Sequence, residues 1–301
     1  MRTVLSGCVC FLLLLGSLPG HAQQEAGSGP RELQALAEGF FAWRAVTQPA
    51  STDDVNRVER PDGWVPDFSP QALGAAQQKL EDFRRRLQAL RPNSWPVAER
   101  VDYLLLRSAL DRVDWELNVL RPARRNPNFY VDQTLGAVFE ALVQPPPIGE
   151  ARARNIILRL ESIPNTLVHA RLNLTEGVAS FADVVLARLD HIGEGLARVQ
   201  KGLGPLVPEG QRPRLAAAMN TAATALEKYA LWLREKKPGM AGRVAVGREA
   251  YEHFLKRVAL VPYSSDAILR LGALEWDRSV AFETYAKQRS RNLRPTGIFR
   301  D

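Results

Sequence analysis

The sequence predicts an all-α protein, a multi-helix bundle or layered helical array, and three observations carry that prediction. Apolar residues recur every three or four positions over most of the chain, strand-like alternation is nearly absent, and proline and glycine clusters separate the periodic stretches. Such stripes need partners, and helix against helix is the simplest way to cover them.

The first 22 residues read differently. A positive start at Arg2, an apolar run from Val9 to Leu15, and small residues Gly20 and Ala22 before Gln23 form a secretory signal with cleavage expected after Ala22. Leu5-Ser6-Gly7-Cys8 spells a lipoprotein cleavage box, but it precedes the apolar run instead of following it, so a lipoprotein is not expected. The run is far shorter than the roughly 20 residues that span a bilayer, and no later segment is uniformly apolar, so no transmembrane segment is expected. The chain is therefore read as exported, periplasmic or extracellular. A Gly/Ser/Pro tether occupies residues 23–30, and one helical domain follows over 31–301.

Residues 31–47 form a first helix rich in aromatics, with Phe40, Phe41 and Trp43. An irregular loop runs through Pro61, Gly63 and Pro66 until Ser69 caps a second helix with Pro70 at its first position. That helix aligns Leu73, Ala76, Leu80, Phe83, Leu87 and Leu90 on one stripe. The next, from about Pro96 to Leu120, answers with Tyr103, Leu106, Leu110, Val113, Leu117 and Leu120, and an antiparallel hairpin is the natural pairing.

Pro122, Pro127 and Pro145 to Pro147 bracket a short helix near Thr134 to Val143 and mark a surface excursion. Helical pattern resumes from Gly149 to Ile163, breaks at Pro164 and continues to about Leu174. Two long stripes follow, Val178 to Val199 and Leu215 to Leu233; Gly193 and Gly195 weaken the first by roughly 1 kcal/mol each, inviting a kink there. Pro238-Gly239 ends the run, and the last two helices cover about 247–260 and 265–290.

Composition narrows the chemistry. Cys8 and Cys10 are the only cysteines and leave with the signal, so the mature chain has neither disulfide nor thiol nucleophile and must rely on packing. Removing 22 of 301 residues leaves 279, enough to bury about three quarters of the unfolded surface. Net charge is +7, or +6 without Arg2. Basic clusters at Arg84-Arg85-Arg86, Arg121 to Arg125 and Lys287 to Arg294 could meet phosphate or an anionic envelope polymer, although a solvated basic surface is the plainer reading. Export argues against nucleic acid as a partner.

His169, His191 and His253 are the mature chain's histidines, too far apart in sequence for a helical zinc pair. Glu249 and His253, four apart, lie opposite the apolar face formed by Tyr251, Phe254, Leu255 and Val258. No G-x-S-x-G elbow and no phosphate-binding G-x-x-x-x-G-K-[ST] loop occurs. No catalytic and no metal residue is assigned. On the last helix Ile268, Leu271, Leu274, Phe282 and Tyr285 share a face, and Glu275 and Arg278 fall inside it. Either they form a buried or half-buried ion pair, or the face lines a cleft in which Tyr251, Glu275 and Arg278 contact a peptide or acidic ligand.

Pro66-Asp67-Phe68-Ser69-Pro70, Asp102-Tyr103-Leu104-Leu105, Leu120-Arg121-Pro122, Arg159-Leu160 to Pro164, Asn173-Leu174 and the run from Gly247 through Leu271-Gly272 to Glu275 and Arg278 resemble the bacterial family called domain of unknown function 885. The resemblance covers most of the mature chain. It implies a helical amino-terminal portion forming one wall of a peptidase-like cleft, in a protein roughly twice this length. It also implies zinc, two histidines and a general-base glutamate from an H-E-x-x-H helix, a motif that does not occur in these residues. On that reading the metal-binding half is absent, this chain holds no cofactor and is inactive alone. Zinc belongs only to a full-length member, and the expected partners are the missing catalytic half or a second copy meeting the last helix. A stand-alone binding module for a peptide or acidic ligand is the alternative.

Overall fold

Capping chemistry starts the helices where the sequence places it. In the computed structural model, which describes residues 29–50, 59–143 and 145–291, α1 spans Pro30–Thr47 and α2 spans Pro70–Ala89. The Ser69 hydroxyl accepts the Ala72 amide at 3.1 Å, so one orphan donor of α2 is satisfied by the cap. α3 runs over Val97–Asp114 and continues through a π-helical segment, Trp115–Leu120. The expected signal peptide, its expected cleavage site and most of the expected tether lie outside the described residues.

α1, α2 and α3 pack around Leu36, Phe40, Leu80, Phe83, Leu106 and Leu110, all nearly inaccessible. Phe40 and Phe83 meet edge to face with centroids 5.7 Å apart, and each fully buried side chain of this kind contributes roughly 1.5–3 kcal/mol. The antiparallel hairpin predicted for α2 and α3 forms as one side of this layer.

The proline-rich stretch that follows is not a surface excursion. Its prolines sit at helix starts, giving α4, Pro122–Arg125, and α5, Pro127–Val131, which passes through π-helical Asp132–Gly136 into α6, Ala137–Leu142. Tyr130 and Val131 are completely buried, and Gln133 exchanges hydrogen bonds with the backbone of Ala50, at 2.7 and 3.0 Å. The segment is thus a central strut between the α1–α3 layer and the second core.

That second core belongs to α7, Glu150–Asn173; α8, Ala179–Arg188; α9, Ile192–Leu203; and α10, Arg212–Lys236. α7 continues through Pro164, against the expected break. Ile156, Ile157, Leu160, Ile163, Leu167 and Ala170 are buried on both sides of the proline, and that packing outweighs a cost of about 3 kcal/mol for a proline inside a helix. The expected kink near Gly193 occurs slightly earlier: α8 ends, and His191, at φ 55°, turns the chain into α9.

The C-terminal part attaches to α3. α11, Arg248–His253, passes into π-helical Phe254–Val258; Leu255 and Val258 are buried, and Phe254 packs on Trp115 at 5.0 Å. Arg257 holds the buried Asp111 at 2.8 Å, and Ser108 donates to the Val258 carbonyl at 2.8 Å. α12, Ser265–Ser290, then leaves the body as a long helix with no buried residue. Among the described residues no helix is long and apolar enough to cross a membrane.

Candidate functional site

Glu275 and Arg278, the pair singled out on the last helix, do meet: the Arg278 guanidinium reaches the Glu275 carboxylate at 3.0 Å. The bridge is solvent-exposed, neither buried nor set in a cleft, because α12 itself is uncovered. Tyr251 is exposed on α11. None of the three lines the cavities described here, which lie elsewhere.

A groove of about 800 Å³ lies where the α1–α3 layer meets the strut. Trp43, Arg44 and Thr47 come from the end of α1, Trp64 and Phe68 from the loop, Leu73 and Gln77 from α2, Glu116 and Leu117 from the π-helical end of α3, and Arg121, Phe129 and Asn173 from the far side. The volume falls in the range of small-ligand sites, and the aromatic and aliphatic walls with few polar groups are what such sites require. Three segments quoted for the family resemblance, at 66–70, 120–122 and 173, converge here although far apart in the chain.

The polar groups are held in place. Asn173 Nδ2 donates to the Phe68 carbonyl at 2.7 Å and to the Tyr130 hydroxyl at 2.9 Å, and that hydroxyl donates to the Ala123 carbonyl at 2.9 Å. Arg44 meets Glu116 at 2.9 Å; burial pulls the guanidinium pKa down and the carboxylate beside it offsets part of that. At the opposite rim Arg121 bonds Glu176 at 2.7 Å. Asp67, the groove's other carboxylate, accepts the Ser69 amide at 2.9 Å.

Behind the groove, Trp64 is flanked by two arginines. The Arg60 and Arg159 guanidinium carbons lie 4.0 and 5.2 Å from its ring centre, and both share Glu140 at 3.8 and 3.7 Å. Burial lowers both guanidinium pKa values, and Nε of each is buried without a hydrogen-bond partner. The Trp64 indole donates to the Val46 carbonyl at 2.8 Å. Sequence reasoning missed this assembly, since Arg60, Glu140 and Arg159 lie on three separate segments; the sole trace was Arg159-Leu160 within the family pattern.

Chemically the groove is suited to binding. Among the described residues its lining carries no Ser, His or Cys to act as nucleophile or base, and its described carboxylates are occupied by Arg44 and a backbone amide. The zinc implied by the resemblance finds no donor set: among the described residues no three His, Cys, Asp or Glu side chains are arranged to hold a metal ion. His169 lies on α7, His191 in the α8–α9 turn and His253 on α11. Glu249 and His253 both face solvent.

Comparison with solved structures finds a candidate lipoprotein of unknown function from Shewanella oneidensis, at 13% identity and a TM-score of 0.65. The match covers 90% of this chain and 50% of the other, so the chain spans about half that protein's length. At this identity the likeness shows the fold alone. No curated protein sequence matches the chain. The family model of bacterial proteins of unknown function designated DUF885 matches residues 50–289, and the chain belongs to that family.

Proposed function

We propose that these residues form the exported, non-catalytic helical portion of a zinc-peptidase-like protein, inactive by themselves, offering a ligand-binding groove to a catalytic portion that packs against α12. The observation that carries this reading is α12. Leu274, Phe282 and Tyr285, which share one face of a helix that no part of the described body covers, are each 61–66% exposed. Large apolar side chains exposed together on one helix face mark an interaction site. A solved relative in fold that is about twice as long supports the presence of further chain to cover it. On this reading the exposed Glu275–Arg278 bridge is a polar contact within the junction, and Tyr251 lies near the root of the same helix.

The test is made on the purified mature chain. We expect no stoichiometric zinc and no peptide hydrolysis; bound zinc together with hydrolysis abolished by a chelator would overturn the proposal.

The groove favours a second reading, a stand-alone exported binding module for a peptide or acidic ligand. Tight peptide binding by a strictly monomeric chain would favour it over the first.

A further inference from the structure

A second cavity, about 860 Å³, lies on the other side of the Arg121–Glu176 bridge and is unlike the groove in charge. Arg121, Arg125, Arg171, Lys236 and Arg243 line it, and Glu176 is its one carboxylate. These cations come from the α3–α4 corner, the end of α7, the end of α10 and the loop before α11, so no single run of sequence reveals the cluster. Arg121 and Arg125 have work within the protein: Arg121 bonds Glu176, and Arg125 donates to the backbone carbonyls of Leu120 and Arg243. The side chains of Arg171, Lys236 and Arg243 are exposed, and none makes a hydrogen bond or ion pair among the described residues.

Two plainer explanations account for part of this. Arg171 and Lys236 lie in the last turns of α7 and α10, where a cation offsets about half a negative charge at each helix end. After both helix ends and Glu176 are counted, a surplus of about three positive charges remains around one concavity. Elsewhere, arginines brought together by folding meet carboxylates, as in Arg84–Asp114, Arg188–Asp132 and Arg214–Glu161.

The loops that frame the cavity are tied together by backbone hydrogen bonds. Glu176 and Val178 amides donate to the Arg124 and Arg125 carbonyls at 3.0 and 3.1 Å, and the Gly242 amide donates to the Gly177 carbonyl at 3.0 Å. A Cβ at Gly242 would come 2.6 Å from the Glu176 oxygen, so the two loops close on each other only because residue 242 is glycine. Arg121 adopts a left-handed conformation at φ 48°, costly for a residue with a side chain and commonest where function demands it. Trp232, stacked on the buried Tyr229 with centroids 5.8 Å apart, gives one wall a flat apolar face.

We infer that this cavity binds a phosphoryl-bearing small molecule, its multiply charged oxyanion held by Arg171, Lys236 and Arg243 and its organic part resting on Trp232. A single carboxylate would leave most of the surplus charge uncompensated, whereas a phosphate or diphosphate group matches it and suits the arginine donor fork. The site shares only Arg121 with the apolar groove, and no residue of α12 lines it.

Isothermal titration of the mature chain with pyrophosphate at low ionic strength tests this, with inorganic phosphate and acetate in parallel. We expect saturable pyrophosphate binding, weaker phosphate binding and none for acetate. Arg171→Ala and Lys236→Ala should each weaken binding about tenfold, the loss of one charge-assisted contact, while lowering the thermal midpoint by no more than a few degrees through the lost helix-end charge. Lys201→Ala, on α9 and outside the cavity, should change nothing. No saturable binding, equal binding of acetate, or equal losses with Lys201→Ala would overturn the inference. If phosphate binds as tightly as pyrophosphate, the ligand is a single phosphoryl group, and the inference stands in that narrower form.

Discussion

Burial pushes the hydroxyls of Tyr130 and Tyr229 above their ordinary pKa of 10.0, and that shift makes a specific statement about stability. Both donate to backbone carbonyls, Tyr130 to Ala123 at 2.9 Å and Tyr229 to Pro127 at 3.0 Å, so the folded state favours the neutral form. Their contribution is therefore fully present below pH 10 and is lost as pH rises from there towards the raised folded values, where the unfolded chain ionises first. Urea unfolding at pH 7 and pH 11 should show this loss. Tyr130→Phe should reduce the alkaline loss while costing about 1–3 kcal/mol at pH 7, because the Ala123 carbonyl and Asn173 amide lose a buried partner. An unchanged alkaline slope in the variant would show that Tyr130 is not the titrating group. None of this was legible in the sequence, where Tyr130 falls between prolines that read as loop. The Glu275–Arg278 bridge was legible as a spacing, but its exposure depends on whether anything covers α12.

Among the elements, prolines give the clearest lesson. At Pro70 the sequence announced a helix start correctly because Ser69 supplied a cap beside it. At Pro122 and Pro127 the same residue type began the short helices of the strut, and at Pro164 it failed to end α7 because the flanking apolar residues are buried. A proline removes one hydrogen bond locally, but whether the chain stops there is settled by packing on either side. Glycine at 242 is the reverse case, a position where the backbone approach itself demands the residue. Gly242→Ala should destabilise the protein by about 1–3 kcal/mol, read as a lower urea midpoint, since backbone oxygens of Glu176 and Gly177 must yield to the new methyl group. Full stability in that variant would mean the 239–246 loop moves freely from its neighbours.

At the scale of the molecule, two cores joined by a buried strut leave one long helix that no other described residues cover. We expect the mature chain to self-associate in the absence of the proposed catalytic portion, through Leu274, Phe282 and Tyr285. Replacing the three with serine should give a monomer by sedimentation with an unchanged unfolding midpoint, because none of them is buried in the described body. A wild-type chain that stays monomeric at high concentration would remove the interface. The sequence by itself determined the all-α class, most helix positions and the family, because helical periodicity and capping are local properties that survive without knowledge of neighbours. Only the tertiary structure decided which stripes are buried, that α12 is uncovered, and that separate segments assemble an apolar groove on one side of the Arg121–Glu176 bridge and a basic cavity on the other. Each of these depends on contacts between residues distant in sequence, and a spacing of three or four says which face a residue occupies but not what that face meets.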